Sequence, residues 1–171
     1  MKELENIVKM TQEVLKKREV NLASTTLASL IASLSELGIL TQGTVNALAR
    51  YFVPRICAYI TLSKEIDPND PMKSLMDVFK EYAFKEGDVN LVQEDGEISI
   101  EIVTDNCKIC PKGVGGAEIP GSACPVPYFV SICLSLLTKE QWKPEVERRG
   151  NKVGLVVKEG GRCKMRIKKV R

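Results

Sequence analysis

Six cysteines and no histidine decide what chemistry this 171-residue chain can hold. Three of the cysteines fall in "DNCKICPKGVGGAEIPGSACPVP", residues 105–127, spaced C-x2-C-x13-C. Glycines and prolines in that stretch exclude a long helix or strand. A C-x2-C turn can present two thiolates to one ion, and a closed tetrahedral zinc site needs four ligands. Cys107, Cys110 and Cys124 supply three. Cys163 follows the Gly160-Gly161 turn, where a strand end can reach back to the loop, and is the candidate fourth. Glu118, inside the loop, is its rival, because carboxylates also bind zinc. Pro111 and Pro125 each directly follow a cysteine, which stiffens the loop and lowers the entropy cost of closing it. Cys57 and Cys133 lie on apolar faces of expected helices and read as small buried hydrophobes.

The missing histidine excludes Ser-His-Asp and Cys-His catalysis and any mixed Cys/His metal site. A redox C-x-x-C would want its first cysteine at a helix N-terminus, and Pro111 followed by glycines supplies no such helix. Reduced thiols that merely pack a loop are the third reading. "GVGG" at 113–116 lacks the G-x-x-x-x-G-K-[ST] pattern of a phosphate cradle. No paired carboxylates and no Ser-Lys arrangement stand out, so no catalytic constellation is expected. Zinc is the expected metal, although thiolate-rich sites also suit iron.

The elements that must position the loop follow from periodicity. Residues 2–19 carry amphipathic spacing at Leu4, Ile7, Val8, Val14 and Leu15, a first helix. Leu27, Leu30, Ile31, Leu34 and Leu37 form the stripe of a second, ending at Gly38. Ser24, Ala28 and Ala32 add a row of small residues, suited to close packing within the chain or across a dimer. A third helix spans about 41–62, with Pro54 expected to kink or divide it. Asp70 and Pro71 have the residue types of an N-cap and first helical position, opening a fourth helix expected to stop at Gly87. The period then changes. Two β-prone runs flank Asp95-Gly96, a hairpin signal, with Ile98, Ile100 and Ile102 on one face. The cysteine loop follows, then a helix with Phe129, Ile132, Cys133, Leu136 and Leu137 inward, then a last hairpin around Gly160-Gly161. The expected fold is α+β, a single domain over 1–171: helical over 1–66, α+β over 67–171, its antiparallel sheet of two hairpins packed against helices.

No stretch approaches the roughly 18 apolar residues of a membrane span, and "MKELENIVKM" has no signal-peptide core. A cytoplasmic location with reduced thiols is therefore expected. The net charge of +3 is asymmetric: residues 140–171 carry eleven Lys/Arg against four Glu, or +7, and the rest of the chain −4. Lys164, Arg166 and Lys168 alternate with Cys163, Met165 and Ile167, so they read as the solvent face of a strand. No aromatics interleave with them, as a single-strand stacking surface would want, and nucleic acid is disfavoured as a partner.

The order of motifs in roughly residues 70–171 resembles the 4-vinyl-reductase domain family. It runs from a strand into "CKICP", through a Gly/Pro loop to "GSACPVPYFVSICLSLL", and closes with "VVKEGGRCKMRI". These are small-molecule or hydrocarbon-binding domains related in fold to vesicle-tethering complex subunits. The resemblance implies a homodimer binding a hydrophobic small molecule, with Cys107, Cys110, Cys124 and Cys163 around a structural zinc. Tyr128, Phe129 and Trp142 are then candidate pocket lining. Relatives often place a further cysteine before the final hairpin; residues 140–162 contain none. The family name implies a reductase acting on a tetrapyrrole or hydrocarbon. The chain has neither a dinucleotide fingerprint nor a histidine for a tetrapyrrole iron, so a binding or sensor role is favoured. A zinc-stabilised nucleic-acid regulator is the remaining alternative.

Overall fold

In the computed structural model the described residues are 2–63, 67, 69–117, 119, 123–149 and 152–170. Four helices come first: α1 Lys2–Arg18, α2 Leu22–Glu36, α3 Gln42–Ser63 and α4 Pro71–Glu81. Hairpin strands β1 Val89–Glu94 and β2 Glu97–Val103 precede the cysteine loop, and α5 Val126–Thr138 follows it. Short strands β3 Trp142–Pro144, β4 Glu147–Arg149, β5 Lys152–Gly154 and β6 Val157–Glu159 lead to β7 Arg162–Lys169. The expected α+β architecture, helices then antiparallel sheet, is what the chain adopts.

Local chemistry accounts for the joints. Asn21 caps α2 by accepting from the Ser24 N–H at 2.9 Å. Asp70 caps α4 in the same way through Lys73, with Pro71 opening the helix, where its missing N–H costs nothing. Asp95 and Gly96 both take positive φ, 44° and 78°, the two-residue turn whose twist matches a hairpin. Pro54 does not divide α3, which runs as one helix. α4 differs from expectation: it ends at Glu81, where Ala83 turns at φ 63°, well before Gly87.

β2 and β7 pair antiparallel at the centre of the main sheet, ordered β1-β2-β7-β3, and β6 pairs with the first half of β7. β4 and β5 form a separate pair. Ile98, Ile100 and Ile102 are 0% exposed because alternate residues of β2 face the helices. α5 lies between that face and α3, contributing Phe129, Val130, Cys133 and Leu134 to one continuous core. The row of small residues on α2 is used within the chain. Ala28 and Ala32 pack against Val114 and Ala117 of the cysteine loop, and the Ser24 hydroxyl donates to the Tyr82 carbonyl at 2.6 Å. Among the described residues no helix is long and apolar enough to cross a membrane.

Candidate metal centre

The pairing of β2 with β7 carries the loop and the last cysteine to the same end of the sheet. Cys163 stands opposite Ile102 on one side and Lys158 on the other. Past Val103 the chain makes a 3-10 turn, Thr104–Asn106, whose first N–H donates to the Gly161 carbonyl at 2.9 Å. The chain then enters Cys107. Cys124 lies two residues before α5. Cys107, Cys110, Cys124 and Cys163, from three separate segments, line one cavity of about 60 Å³ together with Thr104, Lys158 and apolar neighbours. The Thr104 hydroxyl is 3.6 Å from the Cys163 sulfur.

The thiols interact electrically as well as sterically. A hydrogen bond with Cys107 is the main reason the Cys110 thiol is pulled down to about 6; the Lys112 N–H and the charges of Arg18 and Lys158 add to it against burial. The same bond, with burial behind it, pushes Cys107 well up. Burial pushes Cys124 up to about 12. Each of these two is raised further by the other cysteines of the set. Without a cation the cluster thus favours one thiolate and resists more. That is the behaviour of a donor set whose full ionisation needs a metal to neutralise it. Among the described residues no three Cys, Asp or Glu side chains already stand as a set able to hold an ion, so the thiols share a cavity without forming a finished tetrahedron. Their number and kind fit zinc. Glu118 lies outside the described residues.

Two side chains far away in sequence hold the loop backbone, and one from the loop reaches back to α1. Arg18, at the end of α1, donates to the Cys110 carbonyl at 2.5 Å and the Lys112 carbonyl at 2.8 Å. Gln42, at the start of α3, accepts from the Cys124 N–H at 3.2 Å and donates to its carbonyl at 3.1 Å. Lys108, 3% exposed, donates to the Arg18 carbonyl at 2.6 Å and lies 3.6 Å from the Asp88 carboxylate. Asp88 in turn accepts from the Lys85 N–H and the Asn106 amide. α1 packs directly on the glycines. Gly116 sits at φ +87°, and a Cβ there would fall 2.7 Å from the Met10 methyl. Sequence reading missed these clamps because their partners are 82 to 94 residues distant.

The aromatic candidates separate. Phe129 lines a second, apolar cavity of about 220 Å³ with residues of α2 and α3, among them Leu27, Val45, Ala49 and Phe52. Tyr128 packs against the core and lines neither cavity. Trp142 is a core residue, 6% exposed, its indole N–H donating to the Thr138 hydroxyl at 3.0 Å. The basic strand is laced to acids. Arg162 and Lys164 meet Glu101, Lys164 also Glu159, Arg166 faces Glu97, Glu145 and Glu147, and Lys169 faces Glu140.

Over 79 residues the chain is 48% identical to the uncharacterized protein MJ1342 of Methanocaldococcus jannaschii, a match covering 46% of this chain and 65% of that relative's length. No solved structure matches. The resemblance to the 4-vinyl-reductase domain family is corrected by the family match, which is to a different family. Its motifs are short, and cysteines, prolines and glycines in a loop between a hairpin and a helix are not specific to one family. The match runs over residues 38–169, a span that includes all six cysteines: the chain belongs to the MJ0207 family.

Proposed function

We propose that this chain is a metal-stabilised binding domain, with zinc held by Cys107, Cys110, Cys124 and Cys163. The observation that carries the reading is the convergence of these four thiols, from three chain segments, on one small cavity. Zinc bound by four thiolates has no open position for substrate, so what it supplies is a cross-link and not a reaction. The residues around it serve that purpose. Arg18 and Lys158 place positive charge beside a ligand set that becomes doubly negative around Zn²⁺, while Arg18 and Gln42 fix the carbonyls that aim the thiols.

A second reading concerns the cavity between α2 and α3. Its lining is almost wholly apolar, and it is much larger than the thiol cavity. That supports binding of a hydrophobic small molecule, as pockets of this kind do elsewhere. The ion pairs along β7 weigh against a free basic surface for nucleic acid.

Elemental analysis of protein purified without added metal tests the first reading. About one zinc per chain is expected, lost in Cys124→Ser and kept in Cys57→Ala. A reduced wild type that binds no zinc, even when zinc is supplied, would sink it. For the second, a fluorescent apolar probe is expected to bind saturably and to be excluded by Ala49→Leu, which fills the cavity floor. Equal binding to both proteins would count against it.

A further inference from the structure

Two cysteines take no part in the thiol cavity, and they meet each other. Cys57 is on α3 and Cys133 on α5, 76 residues apart, with their sulfurs 2.7 Å from one another in the core. Both are free thiols, Cys57 7% exposed and Cys133 0%. Two unbonded sulfurs do not rest comfortably so close, and a bonded pair sits at about 2.05 Å. α3 and α5 pack on each other, and that packing brings the two sulfurs together. We propose that Cys57 and Cys133 are a modification site of this protein, an intrachain disulfide joining α3 to α5.

The oxidant is another disulfide, of a small thiol or a protein. The Cys57 thiolate attacks one of its sulfurs and expels the first thiolate, forming a mixed disulfide. The Cys133 thiolate then attacks the Cys57 sulfur and expels the second. Two protons leave the chain and two electrons pass to the oxidant, which ends as two thiols. Cys57 goes first for structural reasons. It is the less buried of the two, and it lies one turn past Pro54, which cannot donate to the helix carbonyl four residues back, so α3 is weakest where it must open. The hydrogen bond from Cys133 also favours the Cys57 thiolate. The bond would anchor the middle of α5, the helix that begins two residues after Cys124.

The full chain is unfolded, reduced, and refolded in a mixture of oxidised and reduced glutathione, so that burial does not limit access. It is then denatured with chelator and an alkylating agent and cut with trypsin. The expected product joins peptide 56–64 to peptide 113–139, with Cys124 of the second peptide alkylated. Closing 76 residues is expected to raise the melting midpoint by roughly 10 °C over the same protein in reductant. The double variant Cys57→Ala/Cys133→Ala should show no such dependence. Alkylation of both Cys57 and Cys133 after refolding would overturn the proposal, as would a cross-link from Cys57 to any other cysteine. So would a reductant-dependent midpoint shift as large in the double variant as in the wild type, both refolded without metal.

Discussion

Lys108→Met removes one charge from the least exposed ion pair of the molecule's described residues and leaves its partner behind. Lys108 and Asp88 have side chains 3% and 6% exposed, and the carboxylate would remain inside with only the Lys85 N–H and the Asn106 amide for company. Stranding one member of a buried pair costs about 3–5 kcal/mol, a large part of a typical total of about 5–15 kcal/mol. For a chain of this length that lowers the melting midpoint by roughly 6–20 °C. Urea denaturation should show a lower midpoint with an unchanged slope. The double variant Lys108→Met/Asp88→Asn separates the causes. Asparagine keeps an acceptor for Lys85, and the Asn106 amide can turn to suit the new donor, so most of the loss should return. A single-variant loss below about 1 kcal/mol, or a double variant no better than the single, would refute the account of Lys108 as a buried cation paired across the loop.

The same pair sets an acid limb. Burial alone would raise Asp88, but the Lys85 N–H, the Asn106 amide and the Lys108 charge outweigh it and hold the carboxyl below its ordinary 3.8. The unfolded chain therefore binds the proton more readily than the folded one. Stability from Asp88 is fully present above the ordinary value and is lost as pH falls through the lower, folded value. In Lys108→Met one of those lowering influences is gone and the folded value moves up toward the ordinary one. The Asp88 contribution shrinks, so the variant's stability should fall less steeply with acid than the wild type's. Identical acid limbs in the two proteins would contradict this.

Arg18→Ala removes both hydrogen bonds that the Arg18 side chain gives the loop, so amide hydrogen exchange in α1 should speed up severalfold, with about one zinc per chain still bound at excess metal. Gly116→Ala puts a methyl against Met10 at a backbone angle that L residues avoid; a loss of about 1–2 kcal/mol is expected in chemical denaturation, part of it recovered when Met10→Ala is added. Ile100→Ala, at a fully buried position of the central strand, should cost about 2–5 kcal/mol and leave zinc content as it was, which distinguishes core damage from damage to the site.

Much of the fold could be read from residue order because its signals are local. The cap at Asp70-Pro71, the turn at Asp95-Gly96 and the alternation Ile98, Ile100, Ile102 each act within a few residues. Pro54 does not divide α3, because a proline removes one hydrogen bond and the helix is also held by its packing on α5. The end of α4 misled because Ala83 took a left-handed turn that Gly87 was better suited to make. At the site, Cys107, Cys110, Cys124 and Cys163 could be grouped by spacing and by the turn before Cys163. Gln42 and Arg18 could not, since nothing near either residue marks it for a carbonyl on a distant loop. The short strands β3, β4 and β5 were illegible for a different reason: at three residues each, they are too short to show a period.

These residues also explain why the loop needs more than its thiols. A segment rich in glycine and proline has few large apolar side chains to bury: Ile109 reaches the main core, and Val114 and Ala117 join a small cluster with α2. Backbone hydrogen bonds from Arg18 and Gln42 can fix carbonyls, and Lys108 can tie the loop to α1. None of the three touches a sulfur, so none removes the burial and mutual repulsion that hold Cys107 and Cys124 protonated. The clamps therefore bring the four sulfurs together at the cost of an electrostatic conflict that only a cation, or continued protonation, resolves. If the clamps come first and the metal second, Gln42→Ala should weaken zinc retention against a chelator while leaving about one zinc per chain at excess metal. A variant that holds zinc as tightly as wild type would mean that the thiols organise the loop by themselves.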